Sequence, residues 1–150
     1  MTQVKPVPDG YQRLISYLIT DNLPRLRSFL MEAFGATEIE CIYDEDKSIR
    51  HLELRIEECV LMASEAMPPQ WPAKPTSYYL YVNDCDAVYQ RALAAGATSL
   101  MEPANQFYGD RNAGITDPSG NQWFIATHVE DVSGEEIQRR ALAENKRKKA

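Results

Sequence analysis

The chain is 150 residues long, with 44% hydrophobic and 25% charged residues and a net charge of −6. This composition excludes a disordered chain or a fibrous repeat, and the length suffices to bury a core without disulfide or metal staples. The longest apolar run, Cys59–Ala63, falls far short of the ~18 residues of a membrane span, and the net negative charge disfavours a general nucleic-acid binder.

The N-terminus lacks the apolar core of a secretory signal, and the cysteines Cys41, Cys59 and Cys85 are widely spaced with no CxxC pair. Together these predict a cytoplasmic protein with reduced thiols. The charge is uneven. Residues 139–150 carry six Lys/Arg against Glu144, which leaves −11 on the 138 residues before them. The tail reads as a solvated helix end whose cations suit the C-terminal dipole.

In chain order, an apolar run at Tyr17-Leu18 predicts a strand. Asp21 or Asn22 then offers a helix cap, with Pro24 in the first turn, where a missing N–H costs nothing. Leu26, Phe29, Leu30 and Ala33 form one apolar stripe, and Gly35 supplies a left-handed C-terminal cap. Three strands follow, Thr37–Tyr43, Ser48–Ile56 and Cys59–Ser64. In the middle one His51, Glu53 and Arg55 alternate with Leu52, Leu54 and Ile56, the pattern of a half-buried strand. On such a face these three could form a cross-strand ladder of ion pairs or line a ligand site. Four prolines within Met67–Pro75 predict an extended strap.

Beyond the strap the pattern repeats. Tyr79-Leu80 echoes Tyr17-Leu18 at an offset of 62, and Gly96-Ala97-Thr98 echoes Gly35-Ala36-Thr37 at 61. Asp84 caps a second helix with a Val88, Ala92, Ala95 stripe, and Gly96 ends it. Strands are predicted at Ser99–Glu102, roughly Arg111–Thr116, and Asn121–His128, the last two joined by a type I turn at Asp117-Pro118-Ser119-Gly120. An amphipathic helix capped by Ser133 closes the chain, over about 133–147.

The fold class that results is α+β: two tandem β-α-β-β-β modules (about 11–66 and 76–130) forming a cup-shaped mixed sheet with an extra C-terminal helix, all within one domain spanning 1–150. With Tyr78, Leu80 and Val82 on the helix side, Tyr79, Tyr81 and Phe124 face the cup, where aromatics beside a few polar groups suit a small ligand. His128, beside Glu130 and Asp131, leaves the last strand toward solvent. Arg111 offers a planar donor fork at the rim. It reads either as a structural bridge to a carboxylate such as Glu53, or as an anion-recognition group.

The duplicated module, the Gly-Ala-Thr after each helix and the Asp-Pro-x-Gly-x-x-Trp of the final hairpin resemble the vicinal oxygen chelate superfamily. That superfamily includes glyoxalase I, extradiol dioxygenases and bleomycin-binding proteins. Lys5–Tyr11, Ala33–Ala36, Gln106–Arg111 and Ile125–Val132 resemble its PhnB-like subgroup. The resemblance implies a divalent metal held at Ile15, Met62, Ser77 and Phe124, none of which carries a donor that such a cation takes. It also implies a homodimer. The expectations are therefore no metal and no cofactor, no nucleic-acid or membrane partner, and a small-molecule ligand bound by His51, Glu53, Met62, Tyr79, Tyr81, Tyr108, Arg111 and Phe124. The expected function is metal-independent small-molecule binding. A glyoxalase-like lyase or isomerase and a structural interaction module are the alternatives.

Overall fold

A computed structural model describes residues 3–149, so the outermost ends of the expected 1–150 domain and the first two residues of the expected signal-free N-terminus lie outside the described residues. The first module comprises β1 (Ser16–Thr20), α1 (Leu23–Phe34), β2 (Thr37–Tyr43), β3 (Ile49–Ile56) and β4 (Cys59–Glu65). The second comprises β5 (Ser77–Tyr81), α2 (Cys85–Ala94), β6 (Thr98–Asn105), β7 (Asp110–Thr116) and β8 (Gln122–His128), and α3 (Gly134–Lys149) follows. The eight strands form two four-stranded mixed sheets, ordered β1-β4-β3-β2 and β5-β8-β7-β6, rather than one continuous sheet. In each, the first strand runs parallel to the last strand of its module and the remaining pairs are antiparallel.

Local chemistry sets the helix ends. Asn22 is the cap of α1, its side chain accepting from the Arg25 amide at 3.3 Å, and Gly35 closes the helix at φ 67°, where only glycine is unstrained. Asp84 caps α2 through the Ala87 amide at 3.1 Å. This helix ends one residue earlier than the sequence pattern suggests, with Ala95 as its cap and Gly96 turning the chain beyond it.

Leu18, Leu52, Leu54 and Ala63 of the first sheet and Ala113, Ile115, Trp123 and Ile125 of the second join α1 and α2 in one buried cluster. Each large aliphatic side chain so buried contributes about 1.5–3 kcal/mol. The Phe34 and Trp123 rings meet at 4.8 Å and Tyr78 stacks on Trp123 at 4.5 Å. Arg91 of α2 donates to the Ala33 carbonyl at 3.0 Å. The helices thus cover one face of each sheet and leave the other helix-free.

Other elements depart from the sequence pattern as well. The strap after β4 is not simply extended, because Met67 and Trp71 exchange two backbone hydrogen bonds at 2.7 and 2.8 Å before Lys74 bridges to Ile19. Strand β6 runs on through Pro103 to Asn105, since an edge strand with register shifts tolerates a missing N–H. Strand β7 begins at Asp110, one residue earlier than expected. The helix α3 has no buried residue among those described. It is tied down by Arg140, which donates to Glu130 at 2.9 Å and to the Phe107 carbonyl at 3.0 Å.

Candidate functional site

On the first sheet, the alternation of β3 points Leu52 and Leu54 into the core and His51, Glu53 and Arg55 to the helix-free face. Tyr17, Met62 and Glu53 follow one another across β1, β4 and β3 on that face. The chain before β1 lies over it. Gln12 exchanges hydrogen bonds of 2.8 and 3.1 Å with the Val60 backbone, and Arg55 donates to the Gly10 carbonyl at 3.2 Å. Arg55 thus binds this segment, and among the described residues no cross-strand ladder of ion pairs forms on this face.

The overlying segment carries Tyr11, whose phenol donates to Glu53 Oε2. His51 Nε2 lies 3.1 Å from Glu53 Oε1, and Tyr17 Oη lies 3.2 Å from His51 Nδ1. Glu53 is only 7% exposed. Burial pushes its carboxyl up, but the hydrogen bonds from Tyr11 and His51 outweigh this, and the group stays below the ordinary glutamate value. The hydrogen bond to Glu53 in turn raises Tyr11. Between the segment and the sheet lies a recess of about 370 Å³, lined by the apolar Pro6, Val7, Pro8, Ile15 and Met62 and by the polar Tyr11, Gln12, Arg13 and Glu53. Its size suits a small molecule.

The second sheet organises its helix-free face around Asp110, 4% exposed. Its Oδ2 accepts from Tyr79 at 2.7 Å and from Tyr81 at 2.8 Å. Its Oδ1 lies 2.9 Å from His128 Nδ1, and His128 Nε2 lies 2.7 Å from Asp131. A ring between two carboxylates satisfies both only as the imidazolium, and His128 is accordingly raised, by Asp110 first and Asp131 next. For Asp110, burial raises the carboxyl, and the hydrogen bonds from His128, Tyr79 and Tyr81 bring it below its usual value. Burial and the bond to Asp110 hold the Tyr79 phenol far above its usual value. Asn112 extends the network, donating to Tyr108 at 2.6 Å and Tyr79 at 3.2 Å while accepting from Gln106 at 3.0 Å. Phe124 sits opposite Tyr79 on the neighbouring strand.

The expected site residues therefore fall into separate sets. His51, Glu53 and Met62 share the helix-free face of the first sheet; Tyr79, Tyr81, Tyr108 and Phe124 share that of the second. Arg111 joins neither; it makes a structural carboxylate bridge, one of its two expected roles, with a partner other than Glu53. Its partner is Asp86 on α2, gripped at 2.8 and 3.0 Å. The reason is parity. With Ala113 and Ile115 in the core, residue 111 must face the helix and residues 110 and 112 the other side. That alternation was the available signal for Asp110 and Asn112. His128, expected to end in solvent, is half-exposed and bonded through both nitrogens. Tyr11 had no sequence signal, because its partner lies 42 residues away.

The divalent metal that the resemblance implies does not fit this site. Isoleucine, methionine, serine and phenylalanine occupy the implied positions, and among the described residues no three His, Cys, Asp or Glu side chains come together to hold a cation.

Residues 12–125 match the family profile of the glyoxalase/bleomycin resistance protein/dioxygenase superfamily. The uncharacterized protein Rv0887c of Mycobacterium tuberculosis is 32% identical over 135 residues, covering 83% of this chain and 79% of its own. Among solved structures, TioX from Micromonospora sp. ML1 superposes with a TM-score of 0.68 at 20% identity, covering 79% of this chain and 99% of its own. PA1353 from Pseudomonas aeruginosa does so at 0.63 and 23%, with coverage of 79% and 99%. At such identities these structures speak for the fold alone. With the profile spanning most of the chain and both four-stranded sheets in place, the chain belongs to the glyoxalase/bleomycin resistance protein/dioxygenase superfamily.

Proposed function

We propose that this protein is a metal-independent small-molecule binding protein of the glyoxalase/bleomycin resistance type, in the PhnB-like branch, with its ligand on the helix-free sheet faces. The recess between the N-terminal segment and the first sheet carries this reading: apolar residues beside a few polar groups, the buried Glu53 carboxylate among them, can orient a small molecule without a cation. The donor-poor set Ile15, Met62, Ser77 and Phe124 supports metal independence. The aromatic face of Tyr79, Tyr81, Tyr108 and Phe124 offers a second contact surface.

A second reading is favoured by the His51–Glu53 pair, 3.1 Å apart beside the recess. A metal-free lyase or isomerase would use it for proton transfer. A thermal-shift screen of metabolites and antibiotics, with and without divalent metals, separates the readings. Binding should raise Tm with ligand concentration independently of metal. Stabilisation by metal alone, or turnover of a hit, would shift the assignment to the enzyme.

The protein is also proposed to be a homodimer. Tyr17, Tyr79 and Tyr81 are exposed on the helix-free faces, and Ile39, Ile42 and Leu100 on the edge strands β2 and β6. Light scattering that gives a monomer at all concentrations would refute this. The free thiols of Cys41, Cys59 and Cys85 support a cytoplasmic location, and the net charge of −6 argues against a nucleic-acid partner.

A further inference from the structure

We infer that the Glu53 recess is a subsite for an organic ammonium ion, a small amine with an apolar body whose N–H groups take the Glu53 carboxylate as acceptor. This rests on the binding function proposed above and names its ligand class.

Three features support the assignment. Glu53 is 7% exposed, yet the ion pairs among the described residues give it no Lys or Arg partner; its hydrogen-bond donors are the Tyr11 phenol and the His51 ring. Arg55, two residues along the same face, donates to the Gly10 carbonyl instead. A buried carboxylate in such a setting has much to gain from a cation delivered by a ligand.

The second feature is shape. Pro6, Val7, Pro8, Ile15 and Met62 line it with apolar surface that suits a hydrocarbon body, and of its polar lining residues Tyr11, Gln12, Arg13 and Glu53 only Glu53 offers an ammonium a negative charge. The third is the cover. Tyr11 is both a Glu53 donor and part of the segment that roofs the recess, and the short turn Pro8–Tyr11, closed by a 3.2 Å hydrogen bond, holds it there. An incoming N–H can replace the phenol at Oε2 without leaving Glu53 unsatisfied, because His51 keeps Oε1. Arg13, also lining the recess, is the one guanidinium there; no ion pair joins it to Glu53 among the described residues.

The test is calorimetric titration of the full chain with phenethylammonium chloride and with its neutral counterpart, phenethyl alcohol. Wild-type protein should bind the ammonium saturably and at least about tenfold more tightly than the alcohol, the advantage of a charged over a neutral hydrogen bond. Glu53→Gln should bring the two affinities to within about twofold, since the amide accepts but carries no charge. Equal wild-type affinities, no saturable binding of either probe, or a Glu53→Gln variant that keeps the preference would each overturn the assignment. The wild-type ratio needs no variant, so the test survives a variant that fails to fold. A neutral library ligand whose binding is lost on filling the recess by Met62→Trp, in a protein that ignores the ammonium, would remove the amine and leave the binding function standing. A library without any ligand would remove the function itself.

Discussion

Arg111 on β7 grips both carboxylate oxygens of Asp86 on α2, Nε to Oδ1 at 2.8 Å and Nη2 to Oδ2 at 3.0 Å, and so fastens the helix to the sheet on the side away from the candidate sites. The pair is partly exposed, which limits its worth. Arg111→Met should lower Tm by about 2 °C or less and leave the affinity of any ligand unchanged. A large loss of affinity at unchanged Tm would return Arg111 to the site.

Asp110 is the reverse case, a buried carboxylate on which Tyr79, Tyr81 and His128 converge. Asp110→Asn substitutes a neutral amide for an acceptor of three hydrogen bonds and should cost about 2 kcal/mol or more in denaturant unfolding. Because its folded pKa is depressed, the stability it contributes is present above the unfolded value of about 3.9 and is lost as pH falls through the folded value. The variant should therefore lose less stability than wild type on acidification. Its Tyr79 and Tyr81 should also ionise at lower pH in an ultraviolet-difference titration, since Asp110 holds both phenols up.

His128 titrates with the opposite sign. Its folded pKa is raised by Asp110 and Asp131, so its contribution is complete below the unfolded value of about 6.5 and disappears as pH rises through the folded one. The Tm difference between wild type and His128→Gln should shrink as pH rises above about 6.5. A constant difference would mean that folding leaves the pKa of the ring unchanged.

Asp117 holds the final hairpin. It is 4% exposed and accepts from the Ser119 and Asn121 amides at 2.8 and 3.0 Å, from Asn121 Nδ2 at 2.9 Å and from Trp123 Nε1 at 2.8 Å. Asp117→Ala strands the buried indole N–H and should cost about 3 kcal/mol. Asp117→Asn, which keeps an acceptor but places an amide against these donors, should recover part of that loss. Chemical denaturation of both variants checks the order.

Asp117 also accounts for the spacing of the Asp-Pro-x-Gly-x-x-Trp motif. The turn returns the chain so that a side chain six residues on reaches back to the aspartate, a local relation that the sequence displays. The helices, their N-terminal caps, the module duplication and the approximate strand limits are legible for the same reason: periodicity, capping and turn chemistry act over a few residues. Face assignment was legible wherever apolar residues alternate cleanly, as in β3 and β5, and so Glu53, His51, Tyr79 and Tyr81 were placed correctly on the helix-free side.

In β7 the alternation of Ala113 and Ile115 carries the parity, but the partner of Arg111 does not follow from it, since Asp86 lies 25 positions away on α2. Long-range partners lay beyond the sequence as well. Tyr11 meets Glu53 across 42 positions, and His128 meets Asp110 across 18. Nothing local to either residue encodes such a pairing. The sequence alone determined the elements, the two modules and which side of most strands meets the core, because each follows from interactions between near neighbours. Only the tertiary structure decided which polar groups share a carboxylate, because that depends on strand register and on how the N-terminal segment crosses the first sheet.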